Sequence, residues 1–116
     1  QRKYLEANRI EPLDFVVVNL YPFQEVVKVD PKDLRKAVDN IDIGGVALIR
    51  AAGKGALLNQ RVVPVTSPLQ YEGVVAELER KGYVGNDLRQ HLAREAFVLT
   101  ADYDKAIRDY LMGQAR

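Results

Sequence analysis

No cysteine occurs anywhere in the 116 residues, so disulfides, thiolate catalysis and cysteine-ligated metals are excluded. There is a single histidine, His91, and one imidazole cannot build a metal site alone. Excess charge is missing too: 17 basic residues against 16 acidic ones leave a net charge of +1. No basic block interleaved with aromatics stands out, which removes support for nucleic-acid binding. No apolar run approaches the roughly 18 residues of a membrane span. Residues 1–12 lack the apolar stretch of a secretion signal. These absences leave a cytoplasmic protein, with neither a metal nor a membrane partner, as the simplest reading.

What is present is ordinary for a soluble globular chain: 47% hydrophobic and 28% charged residues. The length suits one small domain or part of a larger one. A helical pattern is already under way at the first residues, where Tyr4, Leu5 and Ala7 alternate with Arg2, Lys3 and Glu6. The chain is therefore expected to be the later stretch of a longer polypeptide.

The run from Leu13 to Leu20 (LDFVVVNL) is apolar and β-branched, bounded by Pro12 and Pro22. Apolarity on both faces predicts a buried, central parallel strand over Leu13–Asn19. Arg61–Val65 repeats the signature and is expected as its neighbour or near neighbour. Asp30 and Pro31 have the character of an N-cap and a first helical position, which predicts a helix over residues 32–38. A short helix is expected just behind Gly45, over VALIRAAGK. Thr66, Ser67 and Pro68 are expected to cap a helix that keeps Leu69, Val74, Val75 and Leu78 apolar and stops near Gly82. Asn86 is expected to cap a long helix in which Leu88, Leu92, Ala96, Leu99, Tyr103, Ile107 and Tyr110 recur at three- or four-residue spacing. The pattern is α/β, with a parallel sheet between helices. Two strands are fewer than the about four to six of a usual sheet, so the other strands are expected in another stretch of chain or in a partner.

Three segments could carry chemistry. NLYPF (Asn19–Phe23) follows the first strand, where open α/β sheets place ligands. The Asn19 amide can donate and accept, and the Tyr21 phenol can hydrogen-bond a developing oxyanion. The plainer use of the same residues is a Tyr-Pro turn packed on Phe23. In IDIGG (Ile41–Gly45) a carboxylate precedes two glycines and a helix, so backbone N–H groups stand beside an acid. On spacing alone, an aspartate cap with a glycine turn is the simpler account of that segment. Lys54 lies about three helical turns from Asp42, between Gly53 and Gly55, where the helix C-terminus favours its charged form; the plainer reading is an ordinary solvated lysine. Gly53–Gly55 reads as a loop rather than a phosphate cradle. Arg50 is expected to pair with a carboxylate or carbonyl, His91 to lie on the surface, and Phe97, Tyr103 and Tyr110 to belong to the core.

LDFVVVNLYPF, NIDIGGVALIRAAGK and EAFVLTADYDKAIRDYL, in this order and at these separations, resemble the IMP cyclohydrolase domain of the bifunctional AICAR transformylase/IMP cyclohydrolase family. The similarity runs over nearly the whole chain, and the first two motifs are specific to that family. The resemblance implies a fold like that of methylglyoxal synthase, a parallel sheet between helices. It implies ring closure of 5-formamidoimidazole-4-carboxamide ribotide to IMP with loss of water, using neither metal nor organic cofactor, in a homodimer. It places Val18, Asn19 and Tyr21 on the nucleotide. It places Asp42, with the backbone of Ile43 and Gly44, at the reacting carboxamide, and it makes Lys54 the proton-transfer residue. Ring closure at one carbon then requires Asp42, Lys54 and Tyr21 to line one cleft.

The chain departs from the family pattern in two places. The family commonly follows the lysine with asparagine and histidine, where this chain has Gly55 and Ala56, and Gly53 stands for an alanine. Each glycine removes roughly 1 kcal/mol of helix propensity relative to alanine. The serine- and glycine-rich turns and the Lys-Thr-Leu-His-Pro segment that grip the 5′-phosphate lie upstream in the family and do not occur in residues 1–116. The chain is thus expected to be the C-terminal portion of the domain, working with the missing N-terminal segment. Two rival readings stand beside this one. One is a non-catalytic nucleotide- or phosphate-binding relative, and the other is a phosphate-sensing regulatory domain of the methylglyoxal synthase type.

Overall fold

The computed structural model describes residues 1–114. In chain order the elements are α1 (Arg2–Ala7), β1 (Phe15–Val17), α2 (Phe23–Val29), α3 (Leu34–Asp39), α4 (Gly44–Leu57), β2 (Val63–Val65), a 3-10 turn (Pro68–Gln70), α5 (Tyr71–Lys81) and α6 (Asn86–Gln114). No helix among the described residues is long and apolar enough to cross a membrane.

β1 and β2 pair in parallel, with Phe15 opposite Val63 and Val17 opposite Val65. Val63 N–H donates to the Asp14 carbonyl at 2.8 Å, and Val18 N–H donates to the Val65 carbonyl at 2.9 Å. Pro64 therefore turns its nitrogen to the other edge of β2, where the missing N–H costs no ladder bond. Asp14 and Arg61, each just ahead of its strand, form an ion pair. β2 is buried along its length. Val63 and Val65 pack with Val74, Val84 and Leu92, and Leu78 and Leu88 close the cluster.

The expectation of a fully buried strand over Leu13–Asn19 needs correction. β1 is three residues long, and Phe15 and Val17 are 38% and 55% exposed. Register partners in a parallel pair share a face, so Phe15 and Val17 stand on the face of Val63 and Val65. The apolar cluster of α5 and α6 covers that face over β2 alone. The parallel pair lies between helices as expected for an α/β fold, with β1 covered less completely than β2.

Three helical features also differ from expectation. α2 was not anticipated: its Phe23, Val26 and Val27 turn inward at helical spacing, but two flanking prolines and a length of seven residues mask the period. The cap of α3 is Asp33, whose carboxylate accepts from Lys36 N–H at 3.0 Å; Asp30 instead ends α2. At α6, Asn86 accepts from the Arg89 guanidinium at 3.0 Å rather than from a backbone N–H. Ser67 does cap the following turn, accepting from Leu69 N–H at 3.2 Å, although Leu69 itself is 93% exposed. α5 ends at Gly82 with φ +78°, a left-handed cap that glycine adopts without strain.

α4 runs unbroken through Gly53, Lys54 and Gly55 to Leu57, so the expected loop at these glycines is not formed. Both glycines are buried. A Cβ at Gly53 would stand 3.0 Å from the Phe97 ring, and one at Gly55 would stand 2.8 Å from Val62. Close approach of α4 to α6 and to the turn before β2 thus offsets the helix propensity lost there. A second core cluster joins Phe23, Ala37 and Tyr103, with Leu20, Ile41, Val46 and Ile107 against it. The later half of α6 is therefore the floor beneath both NLYPF and IDIGG.

Candidate active site

The carboxyl end of β1 leads into Asn19–Phe23, and α4 begins at Gly44. Asp42 joins the two. Its Oδ1 accepts from Gly45 N–H at 2.6 Å, which satisfies one orphan donor of the first turn of α4. Its Oδ2 accepts from Tyr21 N–H at 3.2 Å. The carboxylate therefore spans the two motifs while remaining half-exposed.

The glycine pair has two separate functions. A Cβ at Gly45 would lie 2.7 Å from both Asp42 oxygens, so only glycine permits this close approach. At Gly44 nothing lies within 4 Å of an added Cβ. Gly44 thus opens the start of α4 to the outside, beside an acid and the positive end of a 14-residue helix. The backbone there can take developing negative charge.

Tyr103, from α6, holds this corner from below. Its hydroxyl accepts from Asp42 N–H at 2.9 Å and donates to the Asn40 carbonyl at 3.0 Å. Its ring meets Phe23 edge-on, with centroids 6.3 Å apart. Burial pushes the phenol above its ordinary value, more strongly than the Asp42 N–H lowers it. Helical spacing places Tyr103 in the core, but no local pattern shows what its hydroxyl meets 61 residues away.

The other expected residues are distributed as follows. Val18 is half-buried and tied to β2, whereas Asn19, Ile43 and the Tyr21 side chain are exposed. Tyr21 is 58% exposed, its phenol free to turn toward a ligand. Lys54 does not join them. From Gly44 to Lys54 the helix rises about 15 Å, and Lys54 lines a different groove with Arg50, Leu57, Leu58 and Phe97. The expectation of one cleft holding Asp42, Lys54 and Tyr21 is therefore not met within a single chain. Arg50 also differs from expectation: its guanidinium sits 5.5 Å from the Phe97 centroid, a cation–π contact rather than a carboxylate pair. His91 lies on the surface, 3.1 Å from Glu95.

Beyond the end of β2 a polar cluster is already internally paired. Thr66 N–H donates to Gln70 Oε1 at 2.8 Å, and Gln70 Nε2 donates to Glu95 at 2.5 Å. Among the described residues, no three histidine, aspartate or glutamate side chains gather as a metal set would.

The model of the AICARFT/IMPCHase bienzyme family matches residues 56–116. The bifunctional purine biosynthesis protein PurH of Synechocystis sp. is 46% identical over 109 residues, covering 94% of this chain and 21% of that protein. PurH of Halalkalibacterium halodurans is 43% identical over 107 residues, covering 92% of this chain and 20% of that protein. PurH of Rhodopirellula baltica is 47% identical over 106 residues, covering 91% and 20%. The chain thus spans about a fifth of the length of the curated relatives it matches. Among solved structures, the crystal structure of ForH superposes with a TM-score of 0.73 at 26% identity, over 95% of this chain and 56% of that one.

Proposed function

This chain belongs to the AICARFT/IMPCHase bienzyme family, and from that premise we propose that it is the later portion of an IMP cyclohydrolase domain acting in purine biosynthesis. The reaction closes 5-formamidoimidazole-4-carboxamide ribotide to IMP. The carboxamide nitrogen bonds to the formyl carbon and gives up a proton. The formyl oxygen, negative as the bond forms, takes up a first proton. The formamido nitrogen then gives up its own proton as its C=N bond forms, and with this second proton the oxygen leaves as water. The reading extends to the fold, a methylglyoxal synthase-like sheet whose other strands belong to the rest of such a protein. The bare face of Phe15 and Val17 supports that extension.

The observation that carries the proposal is the Tyr21 N–H to Asp42 contact. It brings an acid, a phenol and the open start of α4 to the carboxyl end of β1. In this reading Asp42 takes the carboxamide proton, and the backbone at Ile43 and Gly44, with the Tyr21 hydroxyl, holds the oxyanion. Val18 and Asn19 flank the nucleotide. Acid–base help of this kind is worth about 10²–10⁴ in rate. Lys54 carries the second proton transfer; it lines another groove, three turns along α4, and in this reading it is assigned to the Asp42 of a second copy of the chain. The partner in this reading is a homodimer.

The test is a cyclisation assay on the full-length protein. Asp42→Asn should lower kcat about 100-fold or more, and an unchanged kcat would remove Asp42 from the chemistry. One observation favours a second reading, a non-catalytic nucleotide- or phosphate-binding relative: both Asp42 oxygens are already held by backbone N–H groups. Ribotide binding without turnover by the wild-type protein would decide for it.

A further inference from the structure

We infer that Tyr103 is a positioning residue for the reacting end of this site, setting where the Asp42 carboxylate stands relative to Tyr21. The inference rests on the cyclohydrolase reading for its kinetic consequence, but its structural content stands on the fold alone.

Asp42 lies in the connection between α3 and α4, and loops place side chains less firmly than helices unless something ties them down. Here the ties come from α6. The Tyr103 hydroxyl takes the Asp42 N–H and gives its proton to the Asn40 carbonyl, so one oxygen clamps the backbone on both sides of Ile41. The ring is 2% exposed and packs against Phe23, the last residue of the motif that supplies Tyr21. One side chain thus contacts both motifs, and the Asp42 carboxylate ties them a second time. Tyr110 offers an internal comparison. It meets the same Phe23 ring at 5.7 Å, but its hydroxyl donates to the Pro31 carbonyl, away from Asp42. A purely packing role predicts that losing either hydroxyl has the same effect. A positioning role predicts that only the Tyr103 hydroxyl matters to the site.

The experiment compares Tyr103→Phe with Tyr110→Phe in the full-length protein, using amide hydrogen exchange and cyclisation kinetics. Tyr103→Phe should speed exchange at the Asp42 amide by about 10-fold or more, since that N–H loses its acceptor. It should lower kcat about 10-fold with KM within about 2-fold, because misplacing a reacting group costs turnover rather than binding. Tyr110→Phe should leave both unchanged. Equal effects from the two variants, or no effect of Tyr103→Phe on Asp42 exchange, would overturn the inference. If the wild-type protein shows no turnover, the cyclohydrolase reading fails while the exchange result still decides the role of Tyr103. Should Tyr103→Phe not fold, the wild type supplies the measurement. The Asn40 carbonyl carbon resonance should then follow the Tyr103 titration above about pH 10, and independence of the two would overturn the clamp.

Discussion

Tyr21 N–H donates to Asp42 Oδ2 at 3.2 Å across 21 residues of sequence, and the other oxygen of the same carboxylate takes Gly45 N–H at 2.6 Å. One acid thus both caps a helix and ties down a neighbouring turn. Asp42→Ala should destabilise the protein by about 1–2 kcal/mol, as loss of an N-cap does. Asp42→Asn should cost less, since its amide oxygen can still accept from Gly45. Urea midpoints of the two variants, measured side by side, check this order.

The glycine pair can be separated by a single methyl group. Gly45→Ala pushes a Cβ onto the Asp42 oxygens and should cost both stability and turnover. Gly44→Ala meets nothing and should be neutral or stabilising by a few tenths of a kcal/mol, since alanine favours a helix. Any loss of ribotide affinity in Gly44→Ala at undiminished melting temperature would then report a ligand approaching that open face. Equal destabilisation by both variants would contradict the geometry.

Gly55→Ala tests why α4 tolerates glycine in its last turns. Helix propensity alone predicts a gain of roughly 1 kcal/mol. The Val62 methyl 2.8 Å from the added carbon predicts a net loss of about 1–3 kcal/mol from overpacking. Thermal unfolding of the variant gives the sign directly.

Lys54 is exposed, so Lys54→Ala should shift stability by no more than about 0.5 kcal/mol. Its effect on turnover should be large and shared between copies. Mixing Asp42→Asn chains with Lys54→Ala chains, each inactive alone, should restore about a quarter of wild-type activity if random pairing builds one intact site per mixed dimer. Mixtures that stay inactive would show that the two residues do not meet across copies.

Stability at high pH should depend on Tyr103. Burial holds its phenol above the ordinary value of 10.0, so the unfolded chain loses that proton first as pH rises. The contribution is therefore complete below about pH 10 and is lost progressively above it. Tyr103→Phe should flatten the fall in urea midpoint between about pH 9 and about pH 11. An identical slope in both proteins would mean that the phenol titrates as if solvated.

Features with a local cause can be read directly from the order of residues. Apolar β-branched runs marked the two paired strands, a three- and four-residue recurrence marked α6, Ser67 marked the start of the 3-10 turn and Gly82 the end of α5, because caps and left-handed turns select residue types. The two motifs at Asn19–Phe23 and Ile41–Gly45 were likewise legible, as was the three-turn separation of Lys54 from Asp42. What those elements meet depends on the packed arrangement. An apolar run looks the same whether one face or two will be covered, so the exposure of Phe15 and Val17 had no local signal. A glycine between helix formers looks like a break until Phe97 and Val62 are seen occupying the space a Cβ would need. Likewise, periodicity placed the Tyr103 ring in the core, but the partners of its hydroxyl depend on which surfaces come together across some 60 residues. Hydrophobic period reports which face turns inward, whereas a hydrogen bond depends on the identity and distance of the group found there.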